Sequence, residues 1–125
     1  MNENTGPPQP AGAREMLTEE RAETLERLAG LNREFDGIVE ASGAANADDE
    51  HDPEGATIAY ERQHVVALLE QSREHLAAID EALRRLDEGG YGYCEGCGQP
   101  IAPERLAARP TATRCVACAS PNRAR

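Results

Sequence analysis

Apolar residues recur at alternating steps of three and four along two stretches of the chain, and that spacing is the first structural signal. In the first stretch the stripe runs Leu28, Leu31, Phe35, Ile38, with Leu17, Leu25 and Val39 flanking it. In the second, counting back from Leu86 gives Leu83, Ile79, Leu76, Ser72, Leu69, Val65, Arg62 and Ile58, and seven of these nine positions are apolar. Such alternation is the seam of a coiled coil, where each apolar side chain inserts between four from a facing helix. The second stripe would span about 42 Å at about 1.5 Å per residue. Thr18, ahead of Glu19-Glu20, predicts the start of the first helix: its hydroxyl caps the orphan amides and the two acids favour the positive end of the helix dipole. Gly30 and Gly37 fall inside that helix, each costing about 1 kcal/mol relative to alanine. Ser42-Gly43 predicts its end. For the second helix, Asp52 is the predicted N-cap and Pro53 the first residue, where a missing amide loses nothing; Gly89-Gly90 ends it. Asp80 with Arg84, and Glu81 with Arg85, are acid-before-base pairs four residues apart that would support its solvent side.

A narrow stripe on a long helix cannot be buried alone. Folding the two helices back on each other as an antiparallel pair solves this within one chain, and pairing with a second copy would satisfy the same periodicity. We read the chain as a monomer that folds back on itself, which makes the link from Gly43 to Asp52 the tip of a hairpin. Large rings are scarce, with no Trp, one Phe and three Tyr, so a large core is not expected and a small fold of this kind needs a staple. The expected organisation is a disordered lead-in over residues 1–15, rich in Pro and Gly; a coiled-coil hairpin over 16–90 with its tip near 46–56; a four-cysteine module over 91–120; and a short basic tail, 121–125. The fold class is mainly α, a long antiparallel coiled-coil hairpin followed by a small C-terminal four-cysteine module.

Charge narrows the partners. The formal net charge is −10, and all 13 basic residues are arginine. That acidity argues against non-specific DNA binding, which is driven by neutralising phosphates, and direct sequence-specific DNA binding is not expected. The C-terminal end differs: from Gly89 onward Arg105, Arg109, Arg114, Arg123 and Arg125 face only Glu95 and Glu104. A rival reading therefore makes this end a nucleic-acid-binding module with those arginines on phosphates. No run of apolar residues is long enough to span a membrane, and the first eight residues lack the charged and apolar regions of a signal peptide. A cytoplasmic location is the expectation, and in a reducing compartment paired cysteines read as metal ligands or redox groups before disulfides.

The cysteines form two C-x₂-C pairs, Cys94 with Cys97 and Cys115 with Cys118, separated by seventeen residues. Two residues between the thiols let both sulfurs face one ion, and Gly96 and Gly98 supply the loose backbone such a turn needs. Four protein ligands leave no open position, so the predicted Zn²⁺ is single and structural, and its binding energy is folding energy for this segment. Spacing alone also admits an iron–sulfur cluster; two redox dithiols would sit near a βαβ pattern, and none is visible. His64 and His75 lie off the apolar stripe and are expected to face solvent, and neither they nor His51 complete a catalytic constellation. The chain reads as a binding protein rather than an enzyme.

Between the helices, Asp48, Asp49, Glu50, Asp52 and Glu54 place five carboxylates in seven residues. Composition alone is met by a solvated turn with helix-capping acids. Concentrated at the end of a hairpin, the same carboxylates would be placed to meet a cation or a basic surface.

A coiled hairpin with an acidic tip, then Gly92-Tyr93-Cys94-Glu95-Gly96-Cys97-Gly98, Ile101, Arg105-Leu106-Ala107-Ala108-Arg109-Pro110-Thr111-Ala112 and Cys115-Val116-Ala117-Cys118, resembles the DksA/TraR family of zinc-finger transcription regulators. The resemblance covers roughly residues 30–120. It implies a bacterial regulator that binds RNA polymerase directly, inserts the hairpin into the secondary channel and brings its tip near the catalytic Mg²⁺, with some members acting alongside the alarmone ppGpp. Carried over, the tip contact is Asp48, Asp49, Glu50, Asp52, Glu54 and Ala56. The family tip carries an Asp-x-x-Asp-x-Ala arrangement; here Asp52 keeps the first aspartate and Gly55 stands where the second would fall. A structural coiled coil without a polymerase role is the remaining rival.

Overall fold

The computed structural model describes residues 12–45 and 53–120, with side chains from 12–41 and 55–120. Four helices follow in order: α1 Ala13–Ala45, α2 Pro53–Glu88, α3 Pro103–Ala108 and α4 Val116–Ala119. The first two, 33 and 36 residues long, form an antiparallel hairpin. Among the described residues no helix is long and apolar enough to cross a membrane. They fall into two compact units, one within Met1–Arg21 and Ala77–Arg125, the other within Ala22–Leu76.

In the second unit, Leu31 of α1 meets Val65 and Leu69 of α2 in a small buried cluster, with Leu28, Phe35, Ile38 and Leu68 packed against it. All but Leu68 are seam positions of the two stripes. The flanking Leu25 and Val39 are exposed, at 42% and 40%, so the buried stripe is as narrow as the three–four alternation requires. Small or polar residues also occupy seam-facing places: Thr24 is 1% exposed and Ser72 6%.

In the first unit, two ion pairs fix direction and register. Arg14 Nη2 lies 2.7 Å from Asp87 and Arg21 Nε lies 2.6 Å from Asp80. Seven residues forward on α1 is seven residues back on α2, the signature of antiparallel helices paired by heptads. Here α1 begins at Ala13, earlier than the Thr18 start expected from capping, because Ala13 and Leu17 are both buried in a core with Ile79 and Ala82. Burying a leucine side chain contributes roughly 1.5–3 kcal/mol, more than the approximately 1 kcal/mol of a cap, and packing sets the boundary. Residues 13–15 thus belong to the helix, while residues 1–11 lie outside the described part. At its other end α1 continues to Ala45, past the stop expected at Ser42-Gly43.

Helix α2 starts at Pro53, as predicted, and stops at Glu88. Gly89 follows with φ +89°, and the N–H of Gly90 returns to the carbonyl of Arg85 at 2.9 Å, the six-to-one bond that closes a glycine-capped helix end. The expected pairs four apart are not the ones made. Asp80 turns across to Arg21, Arg84 pairs with Glu81 and Glu88, and Arg85 turns to backbone carbonyls beyond the helix. Arg84 does pair with a residue four positions away, but with Glu88 ahead of it and not with Asp80 behind it.

Candidate metal centre

The segment after α2 packs onto the helix ends instead of standing apart from them. Tyr91, Cys94, Ile101 and Leu106 share one buried cluster with Ala13, Leu17, Ile79 and Ala82, and Leu83, Leu86, Ala112, Cys115 and Cys118 pack against it. Tyr91 is 2% exposed, and its hydroxyl donates to the carbonyl of Pro110 at 2.8 Å. Burial holds its phenol above the usual range, so it remains a neutral donor. Half-buried Arg85 reaches out of α2 and donates to the carbonyls of Gly90 at 3.0 Å and Tyr93 at 2.9 Å. That guanidinium ties the end of the helix to the residue preceding the first cysteine.

Each cysteine pair is a turn whose amides point at sulfur. Cys94 accepts at its carbonyl from the N–H of Gly98 at 2.9 Å and at its sulfur from the N–H of Gly96 at 3.2 Å. Its own N–H donates to the carbonyl of Gln99 at 2.8 Å, next to the antiparallel bridge between Tyr93 and Pro100. Cys115 stands as N-cap of α4, its sulfur accepting from the N–H of Cys118 at 3.4 Å. The N–H of Glu95 donates to the carbonyl of Thr113 at 2.8 Å, bringing the two turns side by side. Gly96 occupies the tightest point: a Cβ there would sit 3.1 Å from the Cys118 sulfur and 3.2 Å from its Cβ.

The result is a compact set of donors. The four sulfurs all lie within 4.8 Å of one another, and those of Cys97 and Cys115 are 3.9 Å apart. Sulfurs about 2.3 Å from one tetrahedral ion would stand about 3.8 Å from each other, whereas a disulfide would need about 2.05 Å. All four cysteines are free, and among the described residues this is the one group of His, Cys, Asp or Glu side chains so arranged. The donor set therefore fits zinc.

The amides also tune the thiols. Hydrogen bonds from the backbone, led by the N–H of Cys115, bring the Cys94 thiol down to about 6. Hydrogen bonding to the other cysteines, led by Cys115, pushes Cys118 up to about 12. One sulfur is thus held ready as thiolate while another keeps its proton until a metal displaces it.

Of the remaining site residues read from sequence, Asp48, Asp49, Glu50 and Asp52 lie outside the described residues, and Glu54 is described in its backbone alone, in the first turn of α2. Ala56 is exposed on α2. His64 is exposed as expected; His75 is half-buried, less exposed than expected, and lines an open surface groove together with Arg27, Leu68, Gln71 and Ser72. The sequence reading missed Arg85, Tyr91 and the Gly96 contact. The family-like run between the cysteine pairs was their one visible trace: Ile101 and Leu106 are fully buried, and Pro110 supplies the carbonyl for Tyr91.

Residues 89–122 match the family described as prokaryotic dksA/traR C4-type zinc finger. Among curated proteins, YteA of Bacillus subtilis, named as uncharacterized, is 45% identical over 71 residues, which is 57% of this chain and 30% of that protein. The RNA polymerase-binding transcription factor DksA of Caulobacter vibrioides is 53% identical over 47 residues, 38% of this chain and 33% of that protein. The chain thus spans about a third of the length of these relatives. Among solved structures, transcription factor DksA2 from Pseudomonas aeruginosa superposes with a TM-score of 0.71 at 35% identity, covering 85% of this chain and 76% of that one. With the C4 zinc-finger match lying on this sulfur cluster, the metal is one structural zinc ion. On the breadth of that structural likeness and the zinc-finger match together, the chain belongs to the DksA/TraR family of C4-type zinc-finger proteins.

Proposed function

We propose that this chain is a bacterial transcription regulator that binds RNA polymerase directly. Cys94, Cys97, Cys115 and Cys118 hold the zinc, whose role is to fold the module against the helix ends. The acidic connection between α1 and α2 enters the secondary channel and meets the enzyme near its catalytic Mg²⁺. The observation that carries this reading is the match to DksA2 over 85% of the chain, too long a share for the zinc module alone to supply. Curated relatives named as RNA polymerase-binding transcription factors support the partner. The acidity of the connection and of the helix turn after it supports the mode of entry: carboxylates at Asp48, Asp49, Glu50 and Asp52, with Glu54 in the first turn of α2, are drawn toward a basic pore and a bound divalent cation, with Ala56 leaving the adjoining helical surface small.

Initiation assays with purified RNA polymerase test the proposal. Wild-type protein should change open-complex lifetime. Asp49→Asn/Asp52→Asn should bind polymerase as well as wild type and yet lose most of that effect, with parallel reactions containing ppGpp measuring any added response. Failure of the wild type to associate with polymerase, or an undiminished effect from the double variant, would sink it.

A further inference from the structure

The tetrathiolate centre has a basic neighbour that the sequence reading assigned to other work. The point 3.1 Å from the Cys118 sulfur where Gly96 lacks a Cβ is also 3.4 Å from Nη1 of Arg114. These two distances place the guanidinium nitrogen no more than about 6.5 Å from the sulfur, inside the roughly 8–10 Å over which salt leaves charges in contact. Its backbone is pinned on the same side: the Arg114 carbonyl accepts from Arg105 Nε at 2.7 Å, and neighbouring Thr113 accepts from the N–H of Glu95. The side chain therefore lies over the first cysteine turn from a fixed root, across the gap that Gly96 leaves open.

Zn²⁺ with four thiolates carries a net charge of −2. Backbone N–H groups meet two of the sulfurs, and no lysine exists anywhere in the chain to help. We propose that Arg114 is the charge partner of the zinc centre: its guanidinium offsets the excess negative charge and slows loss of the metal, acting through the thiolates without itself ligating. This role is separate from whatever the hairpin binds. It also removes Arg114 from the set of arginines available to a phosphate backbone.

Charge is what distinguishes this role from simple packing, so salt is the discriminating variable. Full-length, zinc-loaded protein is mixed with excess of a chromogenic chelator, 4-(2-pyridylazo)resorcinol, and zinc transfer is timed at low and at high salt. Supporting groups around metal ligands typically matter by 10–100-fold, and an exposed one belongs at the low end, so Arg114→Gln should release zinc about tenfold faster at low salt. The gap should narrow at high salt, and Arg114→Lys, which keeps the charge, should stay near wild type. Arg73→Gln, which removes an equal charge from α2 outside the module, should behave as wild type. Equal release by Arg114→Gln and wild type at low salt would overturn the proposal. So would an acceleration that ignores salt and that lysine does not repair, since that pattern belongs to lost packing.

Discussion

Two adjacent arginines near the end of α2 make a sharp comparison, because the one with more ion pairs should matter less. Arg84 is exposed and pairs with both Glu81 and Glu88, the latter at 2.6 Å. Exposed pairs of this kind contribute roughly 0–1 kcal/mol, because water already solvates both partners and long side chains lose freedom in pairing. Arg85 makes no ion pair with a carboxylate among the described residues but is half-buried, with two carbonyls at 3.0 and 2.9 Å. A hydrogen bond from a charged donor contributes about 1.5–3 kcal/mol, and its loss takes the donor from the Tyr93 carbonyl in a partly dry place and leaves the Gly90 carbonyl with only the 3.4 Å bond from the N–H of Tyr93. Discounting for partial exposure, Arg85→Met should cost about 2–3 kcal/mol, with the apolar stem retained. For a unit of this size, each kcal/mol moves the midpoint by about 4–8 °C, so the expected loss is roughly 8–24 °C. Arg84→Met should lose no more than about 8 °C. Thermal unfolding of zinc-loaded protein followed by far-UV circular dichroism decides the matter. Arg85→Lys adds a geometric control: both bonds leave the one nitrogen Nη2, and an ammonium on a shorter stem does not reach the same point between the two carbonyls. If Arg85→Met melts within a few degrees of wild type, or if Arg84→Met is the more damaging change, the tie between helix and module is not what we describe.

Three further outcomes follow from the metal centre. Gly96→Ala should drive the Cys118 sulfur outward by a few tenths of an ångström, weaken zinc binding about tenfold or more, and leave α1 and α2 helical; unchanged affinity in chelator competition would show that the cysteine turn yields at no cost. Tyr91→Phe leaves the Pro110 carbonyl buried without its donor and should cost about 1–2 kcal/mol in denaturant unfolding, while an unchanged midpoint would mean that water replaces the hydroxyl. With pH, Cys118 keeps its proton up to about 12 in the metal-free site, so zinc must displace that proton throughout the neutral range. Cys94 is thiolate above about 6 and protonated below, so the slope of log affinity against pH should steepen by about one proton on acidification through pH 6, and a constant slope from pH 5 to 8 would contradict the assignment.

Much of this architecture was legible because periodicity and spacing are local. The three–four stripes marked which residues of α2 face the seam, and the C-x₂-C pairs marked the sulfur cluster before any packing was known. What sequence could not carry was contact at a distance. Thr18 has every property of a helix cap, yet α1 starts at Ala13 because Leu17 fills a core with Ile79 and Ala82, residues more than sixty positions away. Asp80 follows the pairing rule with Arg84 on its own helix, but the register of the hairpin offers it Arg21. Arg85 reads as one more solvent charge until the turn at Gly89 brings two carbonyls within its reach. Thr24 and Ala82 are buried at the seam although neither is a strong hydrophobic marker.

The central proposal, that the acidic connection between α1 and α2 works inside RNA polymerase, is met most directly by a site-specific photocrosslink. A photoreactive residue replaces Asp49 in the full-length, zinc-loaded protein, which is then irradiated with purified RNA polymerase. We expect an adduct whose mapped peptides line the secondary channel beside the catalytic Mg²⁺, competed away by unmodified protein. Adducts confined to the outer surface of the enzyme, or none while a probe on the zinc module crosslinks efficiently, would contradict it.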